Sequence, residues 1–196
     1  FDRPHFYKHL IYNNAPIVVV EGKTYPVDII YQPIIDDGNN LNQAVYASIK
    51  ACFSIELGNV LIFLPGEREI RECMHFLQKS TLRHYTILPL FSRQNEAAQN
   101  KVFINDGIVK IIITTNVAET SLTIPGIKFV IDSGLARVKR YSLRNKVEQL
   151  QIENISQASS KQRSGRAGRL SHGICIRLFS EDEFNLRPQF TDPEIL

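Results

Sequence analysis

Five short apolar runs recur along the chain: "NVLIFL" (59–64), "YTILPL" (85–90), "VKIIITT" (109–115), "IKFVID" (127–132) and "GICIRLF" (173–179). Neighbouring side chains of a strand point to opposite sides of its sheet, so a run that is apolar at successive positions has both faces buried. Strands of this kind, alternating with helices, fit one architecture: a mostly parallel α/β sheet covered by helices on both faces.

The intervening segments carry the helical pattern. Asn39 or Asn40 can cap a helix with Leu41, Val45, Ile49, Cys52 and Ile55 on one face and Gly58 as its stop. A second helix is predicted over 66–79, with Glu67 and Arg71 paired at i,i+4. Others are expected in "QNEAAQNKVF" (94–103) and, shorter, at 116–122. Upstream, "APIVVVEG" (15–22) and "YPVDIIYQPI" (25–34) read as strands, and residues 1–14 as a helical lead-in. Residues 135–153 break the rhythm and predict a β-hairpin with its turn near Ser142–Asn145. A helix over 156–169 follows, and residues 181–196 turn acidic, as if opening another domain.

A chain of 196 residues can bury the core of one domain. No apolar run approaches the roughly 20 residues of a membrane-spanning helix, so no membrane partner is expected. The first residue is Phe1 and the sole methionine is Met74, which suggests a piece of a longer protein. Cys52, Cys73 and Cys175 show no paired ligand spacing; they predict reduced core thiols of a cytoplasmic protein and no metal site. The net charge of +3 is small but segregated: residues 137–169 hold nine Lys/Arg against two acids, so this segment is +7 and the remainder −4. Such a segment can form an electrostatic footprint for phosphate.

The sharpest part of that segment is "QRSGRAGR" (162–169). On an α-helix, at about 100° per residue, Arg166 lies about 40° round from Gln162 and Arg169 about 20° the other way. The three would share one face, with Arg163 pointing elsewhere. Gly165 and Gly168 would fall together beside that face, where another backbone could approach. A Gln-Arg-Arg face calls for a polyanion, because guanidiniums fork onto phosphate oxygens; a solvated basic helix is the plainer alternative. Upstream, "TTNVAETSLTIPGIKFVIDSG" (114–134) puts hydroxyls and an amide at the carboxyl end of a strand, where parallel sheets bind ligands, though a helix cap would use the same residues.

Together these stretches resemble a known family. "TTNVAETSLTIPG" followed by "QRSGRAGR" resembles motifs V and VI of DEAH-box ATP-dependent RNA helicases. "VLIFLPGEREI" (60–70) resembles motif IV, "PLFSRQNEAAQNKVF" (89–103) the segment after it, and "KTYPV" (23–27) the family's entry to this domain. The bacterial HrpA branch is the nearest likeness, through "IPGIK" and "GICIRLFSEDEF".

The resemblance implies the second RecA-like domain of a P-loop NTPase motor over 15–180, with 1–14 leading in from the first and 181–196 starting the next. ATP with Mg²⁺ would lie between the two RecA-like domains. This chain has no G-x-x-x-x-G-K-[ST] and no Asp-Glu-x-His, so the phosphate loop and the Mg²⁺ ligands would belong to the first domain. By motif, Gln162, Arg166 and Arg169 would be catalytic, the arginines at the γ-phosphate. Phe103 would stack on the nucleobase, or else close an amphipathic helix as a core residue. Thr123 would lie near the ribose or phosphates, and Ser121 would support motif V. Pro125 departs from the aspartate many relatives carry for the ribose. Thr115 and Asn116 would hold RNA phosphates, with Arg93 a weaker candidate, and the hairpin would help separate strands. RNA is the implied partner, with DNA left open. A binding module on the same fold, without catalysis, is the alternative.

Overall fold

The structure is a computed structural model and describes residues 25–34, 40–80, 85–120, 122, 124–142 and 147–191. The expected lead-in over 1–14, the strand at 15–22, Ser121, Thr123 and most of the hairpin turn lie outside the described residues.

Six parallel strands form one sheet: β1 (Val27–Tyr31), β2 (Asn59–Phe63), β3 (Tyr85–Leu90), β4 (Val109–Thr114), β5 (Ile127–Asp132) and β8 (Gly173–Arg177). Their order is β1-β8-β5-β2-β4-β3, and every neighbouring pair is parallel. Hence all carboxyl ends leave by one edge and all amino ends enter by the other. The hairpin is separate: β6 (Leu135–Ser142) and β7 (Val147–Asn154) pair antiparallel as their own two-stranded sheet.

The sheet divides its side chains between two cores, as the continuous apolar runs require. Val60, Ile62, Ile111, Ile113, Phe129 and Ile131 point to one face. That face is covered by α1 (Leu41–Ile55), through Val45, Ile49 and Cys52, and by α2 (Glu67–Gln78), through Ile70, Cys73 and Leu77. Leu61, Phe63, Ile112, Val130 and Cys175 point to the other. There they meet Val102 of a 3₁₀ turn (Lys101–Phe103) that extends α3 (Glu96–Asn100), Ala118 of α4 (Val117–Thr120), and Ala167 beyond α5 (Gln157–Ser164). A last helix, α6 (Glu181–Leu186), opens on a full capping box between Ser180 and Glu183.

Local chemistry sets the helix ends. Asn40 caps α1 by accepting the Gln43 N–H, and Glu67 pairs with Arg71 at 2.6 Å on α2. Ile55 is not on the buried face of α1: it is exposed, while Cys52 is the last fully buried residue of that helix. The helix expected over 156–169 also ends early, at Ser164, with consequences for the arginines.

Candidate functional site

Helix α5 starts firmly. Ser156 accepts the Ser159 N–H, and the first-turn N–H groups of Gln157 and Ala158 donate to the carbonyls of Pro188 and Gln189 at 2.9 and 3.0 Å. Its far end meets Gly165, and the chain tightens there. Arg166 N–H donates to Arg163 O and Ala167 N–H to Ser164 O, both at 3.1 Å and both of the i→i−3 kind. Residues 165–170 are therefore turns, and Gln162, Arg166 and Arg169 do not share one α-helical face. Two glycines within four residues withdraw the helix propensity that the expected face relied on.

The two glycines also differ. A Cβ at Gly168 would sit 2.5 Å from the Tyr25 carbonyl oxygen and 2.7 Å from Val27 Cγ2. Tyr25 N–H donates to the Gly168 carbonyl at 2.8 Å. The arginine loop is thus pinned against the start of β1, at the amino edge of the sheet. Gly165 makes no such approach; its Cβ would meet nothing nearer than a carbonyl of its own helix at 3.4 Å.

Arg166 and Arg169 occupy different surroundings in this loop. Arg166 is buried, 6% exposed. It donates to the Leu122 carbonyl at 2.7 Å and also to the Glu119 carbonyl, so it holds the loop that follows α4. Burial and the neighbouring charge of Arg169 hold its pKa below the usual arginine value, while Glu119 opposes them. Arg169 is exposed and Gln162 is half-buried.

Arg163 is the residue the helical-wheel argument missed. It is fully buried and bonds Asp132 at 2.7 Å, Glu119 at 3.1 Å and the Leu135 carbonyl at 3.1 Å. Its guanidinium also lies over the Phe63 ring, 4.9 Å from the centroid. A signal existed: Asp132 ends a strand buried on both faces, and a buried carboxylate demands a cation. Arg163 meets that demand and joins α4, α5, β5 and the hairpin root.

The basic segment is correspondingly less available than its charge count suggested. Arg137 pairs with Glu69 at 3.2 Å and Arg140 with Glu153 at 2.8 Å. With Arg163 and Arg166 they are engaged within the fold. Lys139, Arg140, Lys161 and Arg169 are the exposed cations of 137–169 among the described residues.

At the carboxyl edge, adjacent strands bring together the other candidates. Thr115 and Asn116 leave β4, and Arg93 sits in the turn that leaves β3, its neighbour in the sheet. Thr115 is half-buried, Asn116 and Arg93 are exposed. The Thr115 and Asn116 carbonyls accept the N–H groups of Ala118 and Glu119, which starts α4 and leaves the Asn116 side chain at the edge. The turn at Arg93 is stiffened by Gln94, whose side chain accepts the Phe91 N–H at 2.9 Å. Phe103 lies toward the amino edge, ahead of β4, half-buried against the second core. Ser121 and Thr123 flank Leu122, the carbonyl that Arg166 holds.

The candidates therefore spread from one edge to the other. Arg169, beside Gly168, and Phe103 lie toward the amino edge; Thr115, Asn116 and Arg93 lie at the carboxyl edge. Gln162 and Arg166 lie between, on α5 and the turn after it, next to Arg163, which bonds Asp132 at the end of β5. An exposed arginine on a turn whose neighbouring carboxylates are already paired suits an anionic ligand such as a nucleotide phosphate. Among the described residues no group of three His, Cys, Asp or Glu side chains gathers as a metal site, and no helix is long and apolar enough to cross a membrane.

Comparison with known proteins adds the family context. Residues 44–171 match the model of the helicase conserved C-terminal domain. The chain is 53% identical over its full length to the ATP-dependent RNA helicase HrpA homolog of Haemophilus influenzae, and 52% identical to the ATP-dependent RNA helicase HrpA of Escherichia coli. It spans about 15% of the length of each. The crystal structure of the Escherichia coli DEAH/RHA helicase HrpB superposes on 93% of this chain and 23% of that one, with a TM-score of 0.86 at 35% identity.

Proposed function

Given that the chain belongs to the helicase conserved C-terminal domain family and has the RecA-like fold of its HrpB relative, we propose that it is the second RecA-like half of the motor core of a DEAH-box, ATP-dependent RNA helicase of the HrpA type, a cytoplasmic enzyme translocating 3′ to 5′. The separation of the exposed Arg169, on its pinned loop at the amino edge, from Thr115, Asn116 and Arg93 at the carboxyl edge carries this reading. A motor needs nucleotide and nucleic acid at separate places, joined by stiff structure.

At the amino edge, Arg169 extends from a pinned loop and acts as an arginine finger on the γ-phosphate. Such a group neutralises charge that develops during phosphoryl transfer. Arg166 spends two of its five N–H groups on the Glu119 and Leu122 carbonyls. It keeps the segment at Leu122 in place and turns its remaining donors toward phosphate; by motif, Thr123 is assigned to the ribose or phosphates and Ser121 to supporting motif V. Gln162 orients the γ-phosphate or attacking water, and Phe103 offers a ring to the base. ATP supplies the driving phosphoryl transfer; its Mg²⁺ is held by acids of the first RecA-like domain, which with the domains that follow is this chain's partner. At the carboxyl edge, Asn116, Thr115 and Arg93 contact RNA phosphates. Backbone contacts carry little base information, so low sequence specificity is expected.

The test is ATP hydrolysis by the full-length parent, with and without RNA, beside the 196-residue chain alone. The parent should hydrolyse ATP faster on RNA, and the isolated chain should release no phosphate. A parent without ATPase activity would favour a binding module instead, and turnover by the isolated chain would refute the half-site.

A further inference from the structure

The hairpin leaves the main sheet at Gly134 and returns at Ile155, and it shares no ladder with that sheet among the described residues. One backbone bond closes its root: Ile155 N–H donates to the Gly134 carbonyl at 3.0 Å. Gly134 has φ +72°, which glycine adopts readily; its N–H donates to Asp132 at 2.9 Å, and Arg163 donates to the Leu135 carbonyl beside it at 3.1 Å.

Arg187 adds a hold that spans both strands of the root. Its Nη1 donates to the Gly134 carbonyl at 2.8 Å and to the Ile155 carbonyl at 3.3 Å, one from each side of the root. The guanidinium lies over the Phe179 ring, 3.8 Å from its centroid, and Arg187 is 7% exposed. The fit is tight: a Cβ at Gly134 would lie 2.4 Å from Phe179 and 2.6 Å from Arg187 Nη2. The residues around Arg187 also cap α5. Pro188 and Gln189 accept its first N–H groups, and the Gln157 side chain donates to the Arg187 carbonyl at 3.1 Å. One short segment thus holds both the hairpin root and the start of the helix that leads to the arginine loop.

We propose that Arg187 is a positioning residue for the hairpin, fixing the angle at which β6–β7 leaves the sheet and tying that angle to α5. This rests on the reading above, in which the hairpin separates strands. A hairpin that meets a duplex must resist load, and a glycine root cannot supply stiffness by itself. Arg187 reaches both carbonyls through one terminal nitrogen while its guanidinium rests on Phe179; a lysine ammonium can reach the carbonyls but loses the planar stacking on the ring.

The test uses the full-length parent with Arg187→Gln and Arg187→Lys. RNA-stimulated ATPase should stay near the wild-type value, while duplex separated per ATP hydrolysed should fall at least about tenfold, more in Gln than in Lys. Hydrogen exchange over 135–140 and 149–154 should speed up by about tenfold or more, with α1, β2 and β4 unchanged. A merely structural role would lower ATPase and strand separation in proportion, and that result would overturn the proposal, as would unchanged exchange at the hairpin. If Arg187→Gln does not fold, Arg187→Lys carries the same expectations. A wild-type parent that hydrolyses ATP on RNA but separates no duplex would overturn the strand-separation reading instead, and the exchange arm would then decide the clamp.

Discussion

Replacing Arg163 with methionine removes a fully buried charge and puts an unbranched apolar side chain in its place. The magnitude follows from what remains. Asp132 stays fully buried, and its 2.7 Å cationic partner is gone. Glu119 loses its 3.1 Å bond but has some access to water and can rehydrate. Breaking a buried pair by removing one partner costs about 3–5 kcal/mol, against at most about 1 kcal/mol for an exposed pair. Arg68–Glu72, at 2.8 Å and open to solvent, is the exposed comparison within this chain. For a chain of this size, Arg163→Met should lower Tm by about 6–20 °C. Urea unfolding followed by far-UV circular dichroism measures the cost. Adding Asp132→Asn to Arg163→Met removes the stranded charge and should restore at least about 1 kcal/mol. A cost under about 1 kcal/mol for Arg163→Met, or no recovery in the double variant, would refute the claim that this pair organises the site.

Gly168→Ala should destabilise by about 1–3 kcal/mol, because the new methyl meets the Tyr25 backbone at 2.5 Å; Gly165→Ala, with nothing nearer than 3.4 Å, should be close to neutral in the same denaturation assay. Burial pushes the Cys52 and Cys73 thiols up to about 12 and raises Cys175 as well. The native chain should therefore resist a disulfide thiol reagent at pH 8 and react at all three cysteines once denatured. The sign of the pH dependence follows. Above an unfolded thiol pKa near ~8.5 the unfolded state releases protons that the native state keeps, so stability falls as pH rises from there toward 12, by about 1.4 kcal/mol per thiol per pH unit at the steepest. Cys52→Ala should flatten that slope in denaturation curves taken between pH 8 and 10. Thr115→Ala with Asn116→Ala in the full-length parent should reduce RNA stimulation of ATPase more than basal ATPase; unchanged stimulation would remove these residues from the RNA edge.

The sheet was legible because its strands are buried on both faces, so their apolar runs are unbroken and set off by amphipathic helices. Asn40 and the Glu67–Arg71 pair marked helix features from local chemistry alone. The arginine stretch was legible in composition but not in shape. A helical wheel assumes the helix continues, and it ended at Ser164, where Gly165 and Gly168 favoured turns and the start of β1. Which arginine is buried was not legible either. That depends on Asp132 and Glu119, which reach Arg163 from 31 and 44 residues away. Arg187 was invisible for the same reason: its partners, Gly134 and Ile155, are backbone carbonyls, which leave no mark in a sequence.

The most direct measurement is kcat at saturating ATP and RNA for Arg169→Ala in the full-length parent, with a thermal melt beside it. Arg169 lies exposed on a loop pinned by Gly168 and braced by Arg166, so its loss should leave the fold and ATP binding intact. An arginine that stabilises charge only as it develops acts on kcat rather than on binding. The account therefore predicts a drop of about 10³–10⁵ in kcat, with KM for ATP little changed and poor rescue by Arg169→Lys. A solvated arginine would cost no more than about 0.5 kcal/mol, less than threefold in rate. A well-folded Arg169→Ala enzyme with near-normal kcat would contradict the account.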